Sequence, residues 1–273
     1  VKSNYDYENP FYKLAKHRFL YNEEDDTNFA KSVEYSYKET QKNDFEYFKD
    51  EFVKRKHYND FLKLKSHIGI DFPNGEQEFL NFVTSTYIHI FFLWFLQKNM
   101  RESGLLTEYE RFVILRSDYI YNLPFPKMEI LSDQYIWIPD AEDYGGICDR
   151  TVVLSAKHFE YYINILEAFY KKSNRYYEII ENQMEWNMEK ILKMHLDENN
   201  ISKFVRRFPY IGYAVRNKNG STRWSLGNFS EKHGYYIKYK PEYDASVHYK
   251  NLFENWNYGT IDDFYRYIVE IIN

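Results

Sequence analysis

The sequence predicts an α/β fold, a mixed sheet flanked by helices, with a helical appendage at the N-terminal end. Apolar runs of strand length, Phe112-Val113-Ile114-Leu115 and Tyr135-Ile136-Trp137-Ile138-Pro139, alternate with stretches at helical spacing. Strand, connection, strand and helix in alternation build an α/β sheet. Turn signals separate the elements, and the 273 residues with 44% hydrophobic content are enough to bury a sizeable core.

Residues 1–74 are crowded with Lys, Glu, Asp, Asn and Tyr, and their apolar positions Phe45, Phe48 and Phe52, then Phe61, Leu62 and Leu64, fall at helical spacing. They are expected to form a mainly helical region, set apart from a core over 75–273. The consecutive acids Glu23-Glu24-Asp25-Asp26 lack spaced partners and read as a solvated loop or helix start, not a metal site. Asp71-Phe72-Pro73-Asn74-Gly75 is a turn, because Pro fixes φ and Asn-Gly supplies positive φ. A helix over 76–101 follows, stopped by Ser103-Gly104. After the strand over 112–115 come the loop Leu123-Pro124-Phe125-Pro126 and the strand over 135–139. Helices are expected over 156–170, capped by Ser155, and over 184–198. Residues 208–216 and 234–240 alternate as strands, joined through Asn217-Lys218-Asn219-Gly220 and the Trp224 segment. A last helix over 261–272 starts after Thr260, and no internal repeat is evident.

The formal charge of -5, from 36 basic and 41 acidic side chains, gives no general attraction to nucleic acid. A single cysteine cannot form an internal disulfide, which fits a reducing, cytoplasmic setting. The apolar run at 87–96 is too short to span a bilayer and contains His89, so no membrane span is expected. No basic stretch followed by an apolar block and a small-residue cleavage site opens the chain, so no signal peptide is expected. Aromatics reach 21%, with 29 Tyr and 22 Phe, and are expected to fill the core and its wet edges.

The chemistry concentrates between Arg111 and Arg150. Open α/β sheets bind ligands beyond the carboxyl ends of their strands, which is where Arg116-Ser117-Asp118 falls after the strand over 112–115. A carboxylate there can hold a divalent cation against phosphate or can cap a turn. Further on, Asp143-Tyr144-Gly145-Gly146-Ile147-Cys148-Asp149-Arg150 pairs two glycines, which allow close backbone approach, with the acid Asp149. Asp149 can accept the proton of an attacking hydroxyl or can tie down a turn with Arg150. Near the end, Thr222-Arg223-Trp224-Ser225 and the run from Gly234 through Lys238 and Lys240 combine cations with aromatic faces, suited to a diphosphate and a stacked ring, or to an ordinary pair of edge strands.

Taken together, Leu115-Arg116-Ser117-Asp118, the run 135–139, Asp143-Tyr144-Gly145-Gly146 and Asp149-Arg150 resemble the core of GT-A-fold glycosyltransferases, particularly viral and bacterial members. The resemblance covers about residues 105–245. It implies a Rossmann-like sheet, a nucleotide-sugar donor, a glycan acceptor and a divalent cation, Mn2+ or Mg2+, held at Asp118. It implies donor contacts from Arg116, Asp118, Gly145 and Gly146, to which the cation-aromatic run adds Lys238 and Lys240. The family's Asp-x-Asp is here Arg-x-Asp, so Arg116 stands where the first acid is expected and can itself meet phosphate or orient Asp118. The run Asn187-Met188-Glu189-Lys190-Ile191-Leu192-Lys193-Met194-His195-Leu196 resembles an acceptor-side helix of related transferases and makes Glu189 the second candidate base after Asp149.

The expected activity is transfer of a sugar from a nucleotide-sugar donor to a glycan hydroxyl. Its rivals are a nucleotide-sugar or glycan-binding module without turnover, suggested by Arg116, and a structural or interaction protein, suggested by the charged, aromatic N-terminal region. Gly-x-x-x-x-Gly-Lys, His-Glu-x-x-His and Gly-x-Ser-x-Gly are all absent from the sequence, which removes the best-marked NTPase, zinc protease and hydrolase alternatives.

Overall fold

The structure is a computed structural model, and the residues it describes are 13–19, 85–140, 142–165, 168, 173–180, 187–220 and 225–273. The helical region expected over 1–74, apart from 13–19, and the boundary expected near residue 74 lie outside them. The chain divides into two units, one of Val1–Leu105 with Ile163–Met188 and the other of Leu106–Tyr162 with Glu189–Asn273.

The described elements are α1 (Ser85–Glu102), α2 (Leu105–Glu108), β1 (Arg111–Leu115), β2 (Tyr119–Tyr121), β3 (Ile136–Pro139), β4 (Thr151–Ser155), α3 (Ala156–Ile163), α4 (Ser173–Ile180), α5 (Met188–Glu198), β5 (Val205–Phe208), β6 (Gly212–Arg216), β7 (Asn228–Ser230), β8 (Tyr235–Ile237), α6 (Lys240–Glu254) and α7 (Ile261–Ile272). Among the described residues the second unit carries two four-stranded sheets, ordered β1-β4-β3-β5 and β2-β6-β8-β7. The first is mixed, since β3 and β5 run parallel while β4 is antiparallel to both its neighbours. The second is antiparallel throughout. The architecture is therefore mixed α/β, with helices beside both sheets.

Among the departures from the sequence reading, three have a clear local reason. Strand β4 was not expected, because Thr151-Val152-Val153-Leu154-Ser155 is buried along its whole length and shows no alternation to betray it. The single strand expected over 208–216 is two strands in different sheets: β5 ends at Phe208, and Pro209, which has no N–H to continue a ladder, precedes the crossing to β6. The strand expected over 234–240 stops at Ile237, and α6 starts at Lys240 with Pro241 in its first turn, where a missing N–H costs nothing.

The core of this unit joins Leu123, Leu131, Trp137, Val153, Phe208 and Ile211 to Tyr249 of α6 and Phe264, Tyr265 and Ile268 of α7. Helix α7 packs on β5 and α6 on β6. The start of α7 is fixed by a capping box, in which the Asp263 N–H donates to Thr260 Oγ1 at 3.3 Å and the Thr260 N–H donates to Asp263 Oδ2 at 2.9 Å. Among the described residues no helix is long and apolar enough to cross a membrane.

Candidate functional site

The turn from β1 to β2 carries the chain from one sheet to the other, and it holds Arg116 and Asp118. Pairing in the second sheet decides what meets them. Tyr119 lies opposite Ala214, and the Val215 N–H donates to the Asp118 carbonyl at 2.9 Å, so Arg216 emerges from β6 beside the Asp118 carboxylate. The Lys238 N–H in turn donates to the Ala214 carbonyl at 3.0 Å, which brings Lys238 to the same place from the end of β8.

The resulting cluster is half-buried and cationic. Arg116 grips Asp118 in a fork, Nε to Oδ1 at 3.0 Å and Nη2 to Oδ2 at 2.9 Å, and Arg216 Nη1 donates to Oδ2 from the other side. Burial works against the Asp118 charge, but the two guanidiniums outweigh it and hold the carboxyl well below the usual carboxylate range. Burial, with Arg216 and Arg116 close by, brings the Lys238 amine down to about 8. Three cations face one carboxylate, leaving a surplus of two positive charges. The Lys238 ammonium also lies 4.7 Å from the centre of the Tyr239 ring, which gives the patch an aromatic wall.

Beside it lies a second cluster of opposite composition. Arg150, just before β4, meets Glu189 Oε1 at 2.9 Å and Glu242 Oε1 at 2.9 Å, and its Nη1 also donates to Asp149. Burial opposes the Arg150 charge, but the carboxylates of Glu189 and Glu242 more than offset it and raise its pKa above the ordinary value. The Tyr144 and Tyr239 rings flank the guanidinium at 5.4 and 5.2 Å. Glu242, in the first turn of α6, is fully buried, and it accepts from Tyr119 Oη at 2.7 Å and from the Ala214 N–H at 3.3 Å. Its carboxylate thus ties α6 to β2, β6 and Arg150 together. Neither Arg216 nor Glu242 was singled out from sequence.

Each expected site residue has a definite place. Arg116, Asp118 and Lys238 come together, whereas Asp149 and Glu189 meet on Arg150. Gly145, at φ 82°, gives the turn a backbone geometry that a side chain would strain. Gly146 packs tightly against the start of α5, since a Cβ there would lie 2.0 Å from the Glu189 carbonyl oxygen. The loop is closed by Asp143, which receives Arg207 at 2.8 and 2.6 Å and the Cys148 N–H at 2.9 Å. Lys240 lies apart from the Arg116, Asp118 and Lys238 group, its ammonium paired with Asp244 one turn along α6 on the exposed surface. Thr222, Arg223 and Trp224 lie outside the described residues.

The expected divalent cation does not suit Asp118. Both carboxylate oxygens are engaged by guanidiniums, and an ion placed there would meet Arg116, Arg216 and Lys238 with one acidic ligand to offset them. Among the described residues no group of three or more His, Cys, Asp or Glu side chains is arranged to hold a metal. Cys148 is no alternative centre, because burial pushes its thiol up to about 12.

Comparison with protein-family models, with curated proteins and with solved structures gave no match.

Proposed function

We propose that this protein is a GT-A-like glycosyltransferase that binds a nucleotide-sugar donor at the Arg116, Arg216 and Lys238 patch and passes the sugar to a glycan hydroxyl. One observation carries the reading: half-buried cations converge at the point where the chain leaves one sheet for the other, next to a buried group of carboxylates. A diphosphate leaving group needs such positive charge, and an attacking hydroxyl needs a base. In the transfer, the acceptor oxygen bonds to the anomeric carbon as the bond from that carbon to the phosphate oxygen breaks. The nucleoside diphosphate leaves with the electron pair, and the hydroxyl proton passes to a carboxylate. Asp149 is the proposed base and Glu189 its alternate, because both lie at the same guanidinium beside the patch. A single cysteine, which cannot form an internal disulfide, supports a cytoplasmic setting for this activity.

A second reading, a donor-binding module without turnover, is favoured by one specific feature: the charge of both candidate bases is committed to Arg150. Two measurements test these readings. Thermal-shift and calorimetric titration of the folded chain with UDP, GDP and their sugar conjugates should show saturable binding to the native state, which raises apparent stability. Binding accompanied by hydrolysis or transfer of the donor sugar supports the transferase. Binding without either in the presence of glycan acceptors supports the module, and no binding by any member sinks both.

A further inference from the structure

We infer that this site neutralises a diphosphate with its own side chains, Arg116, Arg216 and Lys238, and needs no divalent cation at Asp118. The inference rests on the proposed donor site and concerns how its charge is met. Geometry is the first support. Asp118 is not an open ligand but a spacer: its two oxygens hold Arg116 by a fork and Arg216 from the other side, so the two guanidiniums are fixed on either flank of one carboxylate. A fixed pair of guanidiniums presents planar donors with little left to order when an anion arrives. Lys238 supplies the third charge from β8, and its side chain is half-buried against the Tyr239 ring.

Electrostatics is the second support. Lys238 is faced by Arg216, Arg116 and Arg150, which disfavour its proton, and by Asp118, which favours it. Burial adds to the first group and brings the amine to about 8, so the patch carries more positive charge than it comfortably holds. Such a patch gains by taking an anion and loses by taking a cation. A manganese ion at Asp118 would add to the repulsion, whereas a diphosphate would relieve it and draw Lys238 to its fully protonated form.

The experiment titrates inorganic pyrophosphate, UDP and GDP into the full chain by calorimetry, once in EDTA and once with manganese. The expected result is binding in EDTA, with manganese tightening it by no more than about threefold, a difference under roughly 1 kcal/mol. Arg216→Met should weaken binding by about tenfold or more, the scale of a lost charge-assisted hydrogen bond. Lys238→Met serves as a second variant with no ion pair to break. At pH 8 to 9, titration in two buffers of different ionisation enthalpy should show proton uptake by the wild type beyond that of Lys238→Met, a difference that loss of fold does not produce. Binding that requires manganese and disappears in Asp118→Asn overturns the inference while leaving the donor site standing. Binding in EDTA that neither variant alters places the diphosphate elsewhere and also overturns it. No binding of any probe in either condition removes the donor site itself, and the inference with it.

Discussion

Around Asp118 one carboxylate stands between two guanidiniums and near an ammonium, whereas around Arg150 one guanidinium stands among three carboxylates. The first cluster is partly open, with side-chain exposures of 24% for Arg116 and 25% for Asp118. The second is closed, with 7% for Arg150 and none for Glu242. That contrast separates the tasks. A solvent-reached surplus of charge can be completed by a ligand, because its unmet demand faces outward. A closed cluster must satisfy itself, and Glu242 does so with Arg150, Tyr119 and the Ala214 N–H. The closed cluster therefore sets the positions of α6, β2 and β6, and through them the spacing of Arg216 and Lys238 in the open one.

The strongest way to break this division is Arg150→Met, which leaves Asp149, Glu189 and Glu242 buried without their cation. Loss of one member of a buried ionic group costs about 3–5 kcal/mol, so the urea midpoint should fall sharply. Changing Arg150 and Glu242 together should cost less than the sum of the single changes, because each single change strands the other. A small effect of Arg150→Met alone would show that the closed cluster does not organise the unit. Next in size is Gly146→Ala. Its added Cβ would sit 2.0 Å from the Glu189 carbonyl oxygen, so α5 or the loop must shift, at a cost of about 1–3 kcal/mol. Full stability in that variant would show that α5 does not depend on this close approach.

The sequence made one cluster half visible and hid the other. Arg116 and Asp118 follow an apolar strand, so their exit from a sheet could be read directly. Arg216 joins Asp118 across 98 residues, and Glu242 joins Arg150 across 92, and only strand register and helix placement create those meetings. Helix α6 escaped notice because its inward face carries Glu242 and Ser246 beside Tyr249, which breaks the apolar period that marks a buried helix face. Helix α7 was legible, since Thr260 and Asp263 form its cap and Phe264, Tyr265 and Ile268 recur on one buried side. The glycine pair was seen, but Gly146 serves α5 packing, a role set by a helix more than forty residues further along the chain, Met188–Glu198.

The dependence on pH sharpens the comparison within the open cluster, since its two kinds of charge act at opposite ends of the scale. Asp118 is held below its ordinary range, so its contribution is complete above the unfolded value near 4 and is lost as pH falls below that. Lys238 behaves in the reverse sense. Its amine drops from 10.5 to about 8 on folding, so the unfolded chain binds more protons between those values and stability rises with pH across that window. Urea midpoints measured from pH 3 to pH 10 should show both limbs. Asp118→Asn should flatten the acid limb and, because Asp118 favours the Lys238 proton, steepen the alkaline one, whereas Lys238→Met should flatten the alkaline limb. Because both groups are partly exposed, the effects should be modest beside that of Arg150→Met.

The smallest expected effect belongs to Lys240→Ala, and its smallness tests where the open cluster ends. Lys238 and Lys240 look equivalent in sequence, two cations in one aromatic run. The start of α6 separates them: Lys238 stays with β8 and the arginines, while Lys240 enters the helix and pairs with Asp244, with 58% of its side chain exposed. An exposed pair one helical turn apart is worth about 0.3–0.5 kcal/mol, so removing it should barely move the urea midpoint. Pyrophosphate affinity should also stay within about twofold, the scale expected when a distant charge is screened by solvent. Lys238→Met in the same titration should lose affinity well beyond that. If Lys240→Ala weakens pyrophosphate as much as Lys238→Met does, the anion site extends onto α6, and the boundary drawn at Tyr239 is in the wrong place.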